Sequence, residues 1–158
     1  MFWNVAKMFW IVAIAITCLN AYSLRSRGQK EVDRNPELAE GYARLFKGYL
    51  ILINLPWLVM GLGILVGSTR DVFDYLDPRA GNVYVMLFHI TTIVLYALGA
   101  YWVYFAGGAE FLVRHPGAMN IDVKSPRALK LFYGLMLLGG MVAEVAMWLL
   151  RPPARNFG

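Results

Sequence analysis

Apolar runs alternate with short polar stretches along the chain, and the long runs fall at 8–24, 48–67, 83–107 and 129–150. A helix rises about 1.5 Å per residue and a bilayer presents about 30 Å of hydrocarbon, so about 20 mostly apolar residues reach across. The runs lack the apolar–polar alternation of transmembrane barrel strands. In lipid each backbone amide must find its partner inside its own segment, which leaves helices. The pattern predicts an all-α integral membrane protein, a single four-transmembrane-helix bundle over 1–158 with short amphipathic or interfacial segments between spans. Within the first run, Ala21-Tyr22-Ser23 mimics a signal-peptidase site. Arg25, Arg27, Lys30 and Arg34 follow it directly, so the run is read as a retained helix.

The polar stretches carry helix starts. Asn35-Pro36-Glu37-Leu38 offers a capping Asn, a Pro at the first helical position and an acid near the positive helix end. The second helix is therefore expected to begin near Pro36, with Glu40 paired to Arg44 four residues on. Ser125-Pro126 opens the fourth helix in the same manner. In the stretch 68–82, Asp71, Asp74 and Asp77 recur every three residues. Such oxygens suit Ca²⁺, but the preferred reading is an interfacial helix with Val72, Phe73 and Leu76 on lipid. Gly63-x-x-x-Gly67 and Gly139-x-x-x-Ala143, with Gly140 beside the latter, mark expected close helix contacts.

Composition fits this picture: 59% of the 158 residues are hydrophobic and 16% charged, against roughly 25% charged in soluble domains. The net charge of +5 is read through the positive-inside rule, not as a nucleic-acid footprint. Stretches 25–47 and 108–130 hold ten of the Lys and Arg residues; Lys7, Arg70, Arg79, Arg151 and Arg155 make five on the other side. Both termini are accordingly expected outside and the two basic stretches in the cytoplasm, with a bacterial inner membrane as the expected setting. The lone Cys18 excludes an intrachain disulfide. Aromatic residues at Phe2, Trp3, Phe9, Trp10, Trp102, Tyr104, Phe105, Phe132, Tyr133 and Trp148 fit interfacial belts.

Polar residues inside the spans are the candidates for function, because each is costly in hydrocarbon. Glu144 lies seven residues before Arg151, and His89 seven after Asn82. Each therefore sits about 10 Å beneath the same surface, and consecutive antiparallel helices would let them meet. In the other leaflet Asn20 and Asn54 come to similar depth and are expected to join by an amide hydrogen bond. Pro56, which lacks an amide proton, is expected to kink the second helix by freeing the Leu52 carbonyl. On the cytoplasmic side Glu110, Arg114 and His115 are surface candidates, with Glu110–Arg114 an i,i+4 pair before the turn His115-Pro116-Gly117.

His89 and His115 are the only histidines. Their separation along one helix and its extension, about 39 Å, excludes an intrachain bis-histidine haem. No cofactor or metal site is expected, while bound lipid is. No phosphate loop, nucleophile elbow or zinc signature occurs. Three functional readings follow. The preferred one is an accessory or structural subunit of a homo- or hetero-oligomeric membrane complex. The second is a small oligomeric transporter or channel using Glu144 and His89. The third is an enzyme on a lipid-soluble substrate at the cytoplasmic face.

Overall fold

The computed structural model describes residues 2–119 and 123–150. Six α-helices run in the order α1 (Phe2–Arg34), α2 (Ala39–Leu52), α3 (Leu55–Leu65), α4 (Val83–Tyr104), α5 (Gly108–Arg114) and α6 (Pro126–Leu149). Short 3₁₀ segments occupy Pro36–Leu38, Val72–Leu76 and Pro78–Ala80. No strand occurs among the described residues. Among the described residues four helical stretches are long and apolar enough to cross a membrane: Val5–Arg34 of α1, Pro36–Leu65, α4 and α6. Arg151 and Arg155 lie outside the described residues.

The helix ends follow local chemistry. Asn35 accepts from the Glu37 amide at 3.2 Å ahead of Pro36, Asn82 accepts from the Tyr84 and Val85 amides, and Ser125 accepts from Ala128. Stretch 25–47 is not a loop. α1 continues unbroken to Arg34, because nothing between Leu24 and Arg34 breaks a helix except Gly28, which is tucked against Tyr42. At about 1.5 Å per residue its 33 residues span about 50 Å, well beyond the hydrocarbon thickness.

The second span is broken into α2 and α3 at Ile53–Asn54. Pro56 cannot donate to Leu52, and the Asn54 side chain takes up the Leu50 carbonyl at 2.7 Å. Gly67 is no packing glycine. It adopts φ +72° and ends α3, with Ser68 and Thr69 amides turning back onto the Gly63 carbonyl.

The four long helices pack side by side in a row. α1 packs on α2 and α3, α3 on α4, and α4 on α6, while α1 and α6 share no packed face. Hydrocarbon supplies no drive to close such a row, since lipid tails are as apolar as Leu. What holds α4 to α6 is interdigitation: Tyr96 lies over Gly140, Tyr133 over Gly99 and Tyr104 over Gly134, where an added methyl would collide with each phenol. Gly140 is thus a contact residue. Gly139 has open space around it and Ala143 is exposed, so that motif faces away from the chain.

Two small cores sit at opposite ends of α4. One joins Met60, Tyr75 and Val85 with Trp10, Trp57 and Phe88 around them. The other, at the basic end, joins Val103, Ala109 and Leu129 with Leu112, Val113 and Tyr133.

Candidate functional site

The first core encloses the His89–Glu144 pair. His89 on α4 is 0% exposed and Glu144 on α6 is 4% exposed. His89 Nδ1 and Glu144 Oε1 stand 2.5 Å apart. His89 Nε2 lies 2.9 Å from the Tyr75 carbonyl oxygen. That carbonyl can only accept, so Nε2 bears a proton and donates it. One further proton then bridges Nδ1 and Oε1. Wherever it rests, the pair carries no net charge, which reconciles a carboxyl group with an apolar helix. Trp148 and Phe88 meet the imidazole edge-on, their centroids 6.1 and 5.4 Å away. Trp148, expected in the aromatic belt, is thus part of this enclosure.

Tyr75 is the residue that sequence reasoning missed. It is 1% exposed. Its hydroxyl donates to the Met60 carbonyl at 3.1 Å and accepts from Thr69 at 3.2 Å. Burial pushes its phenol pKa above the usual value. Gly63 gives the ring room against α3. The loop 66–82 is therefore a plug, anchored by Tyr75 and presenting a backbone carbonyl to His89. Its carboxylates serve the loop: Asp71 accepts from the Phe73 amide at 2.9 Å, Asp77 from Arg79 at 3.2 Å, and Asp74 from Arg70 at 2.7 Å. Phe73 and Leu76 are exposed, while Val72 turns onto the core. No cluster of His, Cys, Asp and Glu suited to a metal occurs among the described residues.

Asn20 and Asn54 do not meet. Asn54 is 7% exposed and bonded to its own helix. Its Oδ1 is buried and without a hydrogen bond. Asn20 is exposed on α1. The α1 face toward α2 and α3 carries Thr17, Ala21 and Leu24 instead, and Thr17 bonds back to Ala13 at 2.9 Å.

Glu110, Arg114 and His115 are also separated. Glu110 pairs with Lys130 at 3.2 Å rather than with Arg114. Its own backbone amide, and then Lys130, hold its carboxyl below the usual range. Arg114 is exposed. His115 alone turns inward, 7% exposed. Its Nδ1 donates to the Phe111 carbonyl at 2.7 Å, and its ring stacks on Phe111 at 4.1 Å with Tyr42 edge-on. Nε2 presses on Gly41 of α2, where no side chain would fit. Tyr42 donates to the Pro116 carbonyl, and Arg27 bonds the Gly117 carbonyl at 2.8 Å and Ser23 at 2.6 Å. The turn 115–117 is thereby clasped to α1 and α2. A cleft of about 260 Å³ beside it is lined by Leu112, Val113, Met119, Val123, Lys124 and His115 among others.

Neither a family model, nor a curated protein, nor a solved structure matches this chain.

Proposed function

We propose that the chain is a structural subunit of an oligomeric membrane assembly, with both termini outside and the basic stretches 25–47 and 108–130 in the cytoplasm. The observation that carries this reading is the sealing of its one intramembrane acid. A transport path would need Glu144 or His89 open to water, and both are buried, with Tyr75, Trp148 and Phe88 packed against His89. An enzyme at the cytoplasmic face would need Glu110, Arg114 and His115 around one cleft, and only His115 lines it. Meanwhile apolar faces stay open on every span: Leu19, Leu65, Leu98 and Leu135 are all more than half exposed. Lipid covers part of that surface, and partner helices the rest.

The buried polar network serves as a latch. α4, α6 and the loop plug meet at His89, so one side chain fixes three elements whose apolar surfaces alone specify no register. The test is the mass of the particle extracted in mild detergent. More than one polypeptide per particle is expected. A particle holding a single 17.8 kDa chain would overturn the reading.

A further inference from the structure

Asn54 Oδ1 is the one side-chain polar atom among the described residues that is buried and has no hydrogen-bond partner. The residue is 7% exposed. Its Nδ2 is committed to the Leu50 carbonyl at 2.7 Å. Only the NH₂ end of an amide can face a carbonyl, which fixes Oδ1 as the atom left over. An acceptor left unmet inside a membrane span is costly. What lies level with it can be read from the helix register. Arg25 of α1 lies over Phe46 of α2, and Trp10 of α1 over Gly61 of α3. Between these two contacts the antiparallel helices advance residue for residue, so Thr17 comes level with Asn54. Thr17 is 5% exposed, and α1 packs on α2 and α3, so both side chains enter one interface. The Thr17 hydroxyl donates to the Ala13 carbonyl at 2.9 Å. Its oxygen therefore has only lone pairs left to offer, as Asn54 Oδ1 does. Two acceptors cannot bond each other; they need a donor with two hydrogens between them.

We propose that one water molecule is bound at this level, donating one hydrogen to Asn54 Oδ1 and the other to Thr17 Oγ1, and so tying α1 to the break between α2 and α3. The occupant follows from the chemistry of the site. Neither stretch 8–24 nor stretch 48–65 carries a charged residue, so a cation would sit there without a counter-charge. Both residues are covered within the chain, so a partner's side chain does not reach them. A buried water with two or more polar partners is an ordinary part of a protein interior, and ordered water is one of the groups that meet polar atoms at proline breaks in spans. Pro56 stands at this break. The interhelical partner of Asn54 is thus Thr17, through water. The inference stands apart from the assembly reading.

The test uses the full chain in lipid nanodiscs with asparagine side chains labelled by nitrogen-15, the Asn54 amide being identified by its loss in Asn54→Leu. A through-space magnetic transfer from water to the Asn54 side chain is expected. Thr17→Val, which keeps the shape and removes the hydroxyl, is expected to abolish it, and Thr17→Ser to retain it. On unfolding in mixed micelles, Thr17→Val and Asn54→Leu are expected to be coupled by about fivefold in the equilibrium constant. Coupling without the water signal would mean that the hydroxyl bonds the amide directly and would overturn the bound water. A water signal that Thr17→Val leaves unchanged, or additive effects of the two substitutions, would overturn the bridge.

Discussion

The His89 ring decides how costly Glu144 is. With Nε2 committed to the Tyr75 carbonyl, Glu144→Gln still presents an amide donor to Nδ1 and keeps most of the shape. It loses the proton shared at 2.5 Å, a loss of about 1–2 kcal/mol. Glu144→Ala leaves the imidazole nitrogen unpaired beside a cavity, and about 3 kcal/mol is expected. Asp74→Asn, at an accessible loop carboxylate paired with Arg70, is expected to cost under about 0.5 kcal/mol. Unfolding in mixed micelles orders the three; equal, negligible effects would remove the special standing of Glu144. The meeting of His89 with Glu144 was legible in the sequence, because depth along antiparallel helices needs only counting. Tyr75 was not. It comes from a loop whose aspartates read as surface, and its burial depends on the gap that Gly63 leaves. For Asn20 and Asn54, the expected amide bond does not form: Asn54 bonds its own helix and Asn20 is exposed. A uniformly apolar helix carries no face signal to say which way an amide points.

At the scale of elements, two breaks in regularity set the shape. Pro56→Ala would give the Leu52 carbonyl an amide donor and join α2 to α3. Slower hydrogen exchange over residues 51–58 is the expected result, and unchanged exchange would show that Asn54, not Pro56, holds the break. Proline and the Asn–Pro starts were legible because each acts within one turn. Where α1 ends was not. A basic run after an apolar one marks a membrane boundary, yet a helix passes such a boundary unless something stops it. The clasp around His115 is the second element-scale feature. Gly41→Ala puts a methyl into the imidazole, so the turn 115–117 is expected to undock and exchange faster. Combined with His115→Ala, which empties that space, the effect of Gly41→Ala is expected to vanish. A Gly41→Ala penalty that persists in the double variant would mean that the ring is not what Gly41 accommodates.

For the molecule as a whole, four helices long and apolar enough to cross a membrane are a statement of composition, and composition was enough to anticipate them. Their packing in a row is not legible in composition, because nothing in an apolar surface distinguishes lipid from another helix as its neighbour. Labelling of tags at either end of the chain is expected to reach both from outside intact cells; a cytoplasmic end would reverse the sidedness. The central claim is that a sealed, net-neutral His89–Glu144 pair latches α4, α6 and the loop plug together. The direct measurement is a double-mutant cycle on unfolding in mixed micelles with Glu144→Leu, His89→Leu and both. Each single variant strands a buried polar partner, whereas the double variant removes both from the shared contact, so a coupling of about 1–3 kcal/mol is expected. Additive effects, with no coupling, would contradict the account.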